Sequence, residues 1–162
     1  KDRTNELFDV KPKKYTLPKL NDSWIDDAFD EIELLGFSLC SPLKLLKEKI
    51  NIALTAKELP NYKNKTVEII GYLVTVKYVS TIKGERMYFG TFLDLEGFWI
   101  DTVHFPPSAR AFPFNGPGCY RIKGKVIEEF DHLTLEVEEM KRLVTLNRED
   151  YVEEHIFPFE TL

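Results

Sequence analysis

The sequence predicts a mainly β protein, a five-stranded Greek-key barrel with an N-terminal helical arm. Three features carry that prediction. Five apolar or alternating runs (TVEIIGYLVTVKYV, MYFGTFLDLEG, FWIDTVHF, CYRIKGKVIEEF and HLTLEVEEM) fall between residues 66 and 140, with turn signals separating them. One connection, PPSARAFPFNGPG, is longer than the rest, the asymmetry a Greek key needs. Upstream, Trp24, Ile25, Ala28, Phe29, Ile32 and Leu35 recur at three- and four-residue steps, the period of an amphipathic helix.

The chain of 162 residues has room for one ordinary domain with appendages. Residues 1–21 mix charge, two prolines and a few apolar side chains without a period, and read as an extended or disordered linker. Leu7-Phe8 is the exception, an apolar pair in a polar stretch, as in a short docking motif. Residues 22–62 form the helical arm. Asp22 or Ser23 can cap its first helix, Asp26 and Asp27 suit the positive end of the dipole, and Gly36 can end it. Ser41-Pro42 starts a second helix with Leu43, Leu46 and Ile50 on one side. Thr55-Ala56-Lys57-Glu58 has capping-box spacing for a third, single turn before Pro60. Helices this short need a surface to lie on, and the barrel, residues 63–142, supplies it. Residues 143–162 form an acidic, aromatic-ended tail.

Within the barrel, both alternating sets of the first run are apolar (Val67, Ile69 and Leu73 against Ile70, Tyr72, Val74 and Val76), so that strand is buried on both faces. Gly71 between them is the expected bend by which one strand serves two parts of a barrel. In the second run Tyr88, Gly90 and Phe92 share one face and Met87, Phe89 and Thr91 the other, so one of the adjacent rings Tyr88 and Phe89 points outward. Trp99, Asp101 and Val103 share a face of the third. Exposed aromatics on neighbouring strands give a surface on which bases stack, each worth about 1–3 kcal/mol; the alternative is that the arm covers them. In the fourth run Tyr120, Ile122 and Val126 face inward and Arg121, Lys123 and Lys125 outward. A two-residue turn at Phe130-Asp131 pairs Lys125 with Glu136 and Lys123 with Glu138, so this basic row reads as cross-strand ion pairing. The whole is the layout of an oligonucleotide/oligosaccharide-binding (OB-fold) barrel.

Composition narrows the function classes. The apolar fraction of 43% is ordinary for a globular domain, and no apolar run approaches the ~20 residues of a membrane helix, so a soluble, non-membrane protein is expected. The chain opens on a charged segment without Met or a signal peptide, as a piece of a longer protein would. Cys40 and Cys119 lack CxxC spacing, and His104, His132 and His155 stand singly, so no disulfide framework, metal site or cofactor is expected. Asn64-Lys65-Thr66 matches a glycosylation sequon, with nothing else to indicate secretion. The net charge of −5 hides an asymmetry: residues 60–126 hold nine Lys/Arg against five Asp/Glu, a balance of +4 that leaves −9 for the remainder. A basic barrel with acidic flanks is compatible with a phosphate backbone, or with an ordinary solvated surface.

Several short segments run in a shared order: Glu33-Leu34-Leu35-Gly36-Phe37-Ser38-Leu39 with Ser41-Pro42-Leu43, Ile70-Gly71-Tyr72, Thr81-Ile82-Lys83-Gly84 before Met87-Tyr88-Phe89, Asp94-Leu95-Glu96-Gly97, Phe105-Pro106 and Ile122-Lys123-Gly124-Lys125-Val126. As a set, over residues 33–140, they resemble the C-terminal region of the bacterial replicative DNA polymerase III alpha subunit. The resemblance implies an OB-fold barrel that contacts single-stranded template ahead of the active site. It also implies a cytoplasmic DNA-directed DNA polymerase as parent, whose catalytic carboxylates lie in a palm domain that nothing here resembles. Barrels of class II aminoacyl-tRNA synthetases look similar, and there an aromatic five residues before the strand-ending Asp stacks on a base. Phe89 stands five before Asp94, which places Phe89 outside and Tyr88 inside. Thr4-Asn5-Glu6-Leu7-Phe8 resembles the family's sliding-clamp motif with Thr4 in place of Gln, a change that removes a hydrogen-bonding amide.

The expectation is therefore a non-catalytic single-stranded DNA binding module used in DNA replication. Phe89, Met87 and Trp99 stack on bases, Lys77, Lys83 and Arg86 contact phosphate, and Leu7 and Phe8 bind the clamp. Its partners are the single-stranded template, the remainder of the polymerase chain and the sliding clamp. The alternative is a protein-interaction barrel docking the clamp or another replisome subunit. A tRNA-binding barrel fits the arm less well. A hydrolase using Asp94 and Asp101 has little support, since Asp94 precedes a turn glycine and reads as an acceptor for turn backbone.

Overall fold

A computed structural model describes residues 14–15, 23–48, 51–129 and 131–148. Helix α1 (Trp24–Leu35) forms where the periodicity places it. The Ser23 hydroxyl accepts from the Ile25 N–H at 3.3 Å, and Gly36, at φ +82°, closes the helix through its N–H to the Ile32 carbonyl. Of the predicted stripe only Ala28 and Phe29 are buried, while Trp24, Ile32 and Leu35 stay exposed, so the arm lies on the rest of the fold by the middle of its apolar face. The second helix reduces to a 3-10 turn, Pro42–Leu45. Ser41 makes no side-chain cap, and Leu46 turns extended to bridge Thr145. The third is a 3-10 helix, Ala56–Tyr62, where the Glu58 carboxylate accepts from the Thr55 N–H at 3.0 Å.

Five strands follow: β1 (Thr66–Ser80), β2 (Arg86–Leu93), β3 (Trp99–His104), β4 (Cys119–Glu129) and β5 (His132–Arg142). They close a barrel in the order β1-β2-β3-β5-β4, and the closing β3–β5 pair is the parallel one. This is the OB-fold layout. β1 serves both sides as expected, pairing with β4 through residues 66–72 and with β2 through residues 72–80. Gly71 sits where the strand crosses over, since a Cβ there would lie 2.8 Å from Phe92 Cβ, and the bulge itself falls one turn later, between Leu73 and Thr75.

The barrel interior is filled by Ile69, Phe92, Ile100, Tyr120, Ile122, Val126 and Leu135, all essentially sealed from solvent. The outward side of β1 supplies a second cluster, Ile70 with Cys119, Leu43 and Leu143, which ties the arm to the barrel. Burial raises the Cys119 thiol to about 11, so it packs as an unreactive apolar group. Leu143 and Thr145 belong to the segment read as an uninformative tail; its backbone bonds to the arm (Leu146 N–H to the Leu45 carbonyl, 2.7 Å) make it a strap instead.

Two further differences have local causes. The Pro-rich connection contains a short helix, α2 (Pro106–Ala111), with proline in its first positions, where the missing N–H costs nothing. Lys125 pairs with Glu136 as expected, but Lys123 faces Glu139 rather than Glu138, because the ladder slips between Lys123 and Gly124. A Cβ on Gly124 would lie 2.5 Å from the Glu136 carbonyl oxygen, so the bulge needs glycine.

Candidate nucleic-acid interface

Alternation along β1, β2 and β3 sorts their side chains into cross-strand rows on the outer surface of the barrel. Lys77 lies opposite Phe89, and Phe89 opposite Val103; the next row is Thr75, Thr91 and Asp101, and the next Tyr72, Leu93 and Trp99. Val79 and Met87 form the row nearest the hairpin tip. Phe89 is 40% exposed and Trp99 61%, and the arm covers neither. Tyr88 faces inward, its ring 6.0 Å from that of Phe114. The Phe89 and Trp99 rows are four residue steps apart, so they lie about 13 Å apart along the strands. Between them Thr91 Oγ1 donates to Asp101 Oδ1 at 2.9 Å, and Asp101 Oδ2 meets His132 Nε2 at 3.0 Å, which joins the β4–β5 hairpin to the edge of this face.

Some cations among the described residues are ion-paired; those of this face, like Lys123, Lys125 and Lys141 on the β4–β5 hairpin, are not. Lys57, Lys63, Arg110, Arg121 and Arg148 each reach a carboxylate: Lys57 pairs with Glu96 at 3.0 Å, Lys63 with Glu128 at 2.6 Å, and Arg110 with Glu85 at 2.9 Å. Among the described residues, Lys77, Lys83 and Arg86 have no carboxylate within ion-pair distance. Lys83 stands at the tip of the β1–β2 hairpin, in a turn held by Gly84 N–H to the Thr81 carbonyl and by Thr81 N–H to the Glu85 carbonyl. Arg86 lies on the other face of the hairpin from Met87 and Phe89. Its guanidinium packs 5.4 Å from the centre of the Tyr78 ring.

The structure thus brings Lys77, Met87, Phe89 and Trp99 to one surface, sets Lys83 at its rim and turns Arg86 away behind it. Leu7 and Phe8 lie outside the described residues. Tyr78, 60% exposed, is an aromatic that strand alternation left unmarked. The available signal was length: β1 runs 15 residues and outlasts its pairing with β4, so its second half projects as a hairpin arm.

No acid–base pair presents itself at Asp94. Its Oδ1 accepts from the Glu96 and Phe98 N–H groups at 2.9 and 2.8 Å, and its Oδ2 from the Ala56 N–H at 2.7 Å, so the carboxylate pins the β2–β3 turn to the arm. Beneath the face, His104 is fully buried. Thr102 Oγ1 donates to the Gly90 carbonyl at 2.9 Å, so its contact with His104 Nε2 at 3.0 Å makes the imidazole the donor there and leaves Nδ1 without a partner among the described residues. Burial lowers its pKa to about 4. Among the described residues no group of three or more His, Cys, Asp or Glu side chains could hold a metal ion, and no helix is long and apolar enough to cross a membrane.

No family model and no curated protein matches the sequence. Solved structures similar to it include the N-terminal domain of the PriB protein from Thermoanaerobacter tencongensis, at 14% identity and a TM-score of 0.42, over 52% of this chain and 100% of that one. The mitochondrial single-stranded DNA binding protein Rim1 from S. cerevisiae is similar at 11% identity and 0.41, over 52% and 99%. The second OB-fold domain of replication protein A from Methanococcus maripaludis is similar at 18% identity and 0.37, over 49% and 85%.

Proposed function

We propose that the outer β1–β2–β3 face binds single-stranded DNA without catalysis, and that it does so as the template-contacting module of a polymerase III alpha subunit. One observation carries the binding: exposed rings and a cation without a carboxylate partner coincide on a single surface, with Phe89 directly opposite Lys77 and Lys83 at the rim. A base stacks on an exposed ring whatever its identity, and a free cation beside it neutralises the following phosphate, which yields sequence-tolerant binding of a single strand. The template role is supported by the motif series over residues 33–140 and by an Asp94 wholly engaged in turn bonds.

The test is a fluorescence titration with a single strand of about 20 nucleotides, with duplex DNA and single-stranded RNA as controls, at 50 and 200 mM salt. Two phosphate contacts, Lys77 and Lys83, give a logarithmic salt slope of about −1.4, so affinity falls about sevenfold across that range. Phe89→Ala weakens binding by about tenfold while the thermal midpoint holds, because the ring is already outside the core. Equal affinity for duplex, or a Phe89→Ala protein that binds like the parent, would defeat this reading.

A second reading, docking of the sliding clamp or another replisome subunit, draws on the end of the arm, where Leu34, Phe37 and Leu39 are 83%, 56% and 71% exposed. Capture of clamp that survives moderate salt, together with absent DNA binding, selects it.

A further inference from the structure

The projecting part of the β1–β2 hairpin has two faces, and the outer one has been described. On the inner face a series of rings runs outward from the core: Phe92, fully buried, lies 6.3 Å from Phe114, Phe114 lies 6.0 Å from Tyr88, and Tyr88 lies 6.2 Å from Tyr78. The inner members fill the mouth of the barrel. The last member is 60% exposed and carries the Arg86 guanidinium 5.4 Å from its centre. A ring needed only for packing would end where the core ends, whereas Tyr78 sits six positions beyond Tyr72, the last residue of β1 paired to β4.

We propose that Tyr78 and Arg86 form a second nucleotide site on the inner face of the hairpin, so that a single strand held on Phe89 continues over the tip past Lys83 and stacks a further base on Tyr78. The proposal rests on the single-strand reading above. The chemistry is that of an aromatic platform with an adjacent cation: the ring offers a π face to any base, and Arg86, with no carboxylate within ion-pair distance among the described residues, is free to fork onto the phosphate that follows. The neighbouring carboxylate, Glu85, is engaged by Arg110 at 2.9 Å and so does not compete for it. The path makes Arg86 a phosphate contact of the inner site, where the outer rows cannot use it.

The experiment combines titration of a 15-nucleotide oligothymidylate with photocross-linking of the same oligonucleotide carrying 5-iododeoxyuridine. Tyr78→Ala and Arg86→Gln are each expected to weaken binding by about tenfold, Tyr78→Phe to keep the parent affinity, and mass spectrometry to find an adduct on Tyr78 as well as on the outer face. Parent-like affinity within twofold for Tyr78→Ala and Arg86→Gln, with no adduct on Tyr78 while Phe89→Ala still binds poorly, overturns the inner site and leaves the outer one standing. Failure of the parent protein to bind any single strand overturns the functional reading, and the inner site with it. If Tyr78→Ala lowers the thermal midpoint, Arg86→Gln and the cross-link decide.

Discussion

The molecule contains two long hairpins, β1–β2 and β4–β5, and both are rich in lysine and arginine. Their chemistry is opposite. On β4–β5 two lysines have an acid across the ladder, Lys125 opposite Glu136 and Lys123 opposite Glu139, while Arg121 faces Lys141. Arg121 lies 3.5 Å from Glu68 on the neighbouring β1, and Lys63 reaches Glu128 at 2.6 Å. On β1–β2 the cations meet rings instead, Lys77 opposite Phe89 and Arg86 over Tyr78, because β2 contains no acidic residue from Arg86 to Leu93. A count of charges treats the two hairpins alike, while the register sets acids opposite two lysines of β4–β5 and a ring opposite Lys77 of β1–β2. On the proposed function, β4–β5 serves stability and β1–β2 binding.

The largest effect expected from that division is on stability. Gly124→Ala places a methyl 2.5 Å from the Glu136 carbonyl oxygen, a backbone atom that cannot swing aside, and should cost about 3 kcal/mol. For a domain of this size that is about 6–12 °C in thermal midpoint. Affinity for single-stranded DNA, measured well below the midpoint, should not move. Lost affinity with an intact midpoint would put β4–β5 in the interface and erase the contrast.

Next in size is a pH effect seated under the binding face. His104 is neutral in the fold, with its pKa lowered by burial from 6.5 to about 4. Below pH 6.5 the unfolded chain takes up a proton that the folded one refuses, so stability falls as the pH drops, and this contribution levels off below about pH 4. Between pH 7 and 5 the loss amounts to about 2 kcal/mol. Denaturant melts at the two pH values should show it, and His104→Leu should flatten the difference. An unchanged difference in the variant would assign the acid sensitivity to other groups.

How much of this was legible beforehand follows from the range of each signal. Strand alternation reports which side of a strand a residue occupies: it set Trp99 with Asp101, turned Tyr120 and Val126 inward and left one of Tyr88 and Phe89 outside, the choice of Phe89 coming from the family resemblance through its spacing to Asp94. The turn expected at Phe130-Asp131 fixed the pairing of Lys125 with Glu136, since a hairpin register propagates from its loop. That inference failed two residues on at Lys123, because a bulge is set by the close approach of Gly124 to another strand, which no local pattern encodes. The helical arm was over-read for a similar reason. Ser41-Pro42 is a valid helix start, but Leu46 is drawn into a bridge with Thr145, almost a hundred residues away. Alternation already set Arg86 on the Tyr88 side, away from Phe89, but the exposure of Tyr78 followed only once the strand lengths were known, because the projecting arm of β1 exists by outrunning β4.

The smallest effect is the sharpest test of the comparison. Lys77→Ala removes a cation without a carboxylate partner beside Phe89 and should weaken single-strand binding by about threefold, with the logarithmic salt slope reduced by about 0.7. Lys125→Ala removes the same charge from the paired hairpin. Because Lys125 faces Glu136 in the ladder, an acid stands beside the charge it would offer a phosphate, and affinity should stay within about twofold with the slope little changed. The two variants have the same net charge, so general electrostatic attraction to DNA predicts equal losses. If the losses are equal, a diffuse field drives binding and cross-strand pairing is irrelevant to it. If only Lys77→Ala weakens binding, the neighbour that the sheet register sets opposite a lysine, a ring for Lys77 and an acid for Lys125, decides whether that lysine serves the interface.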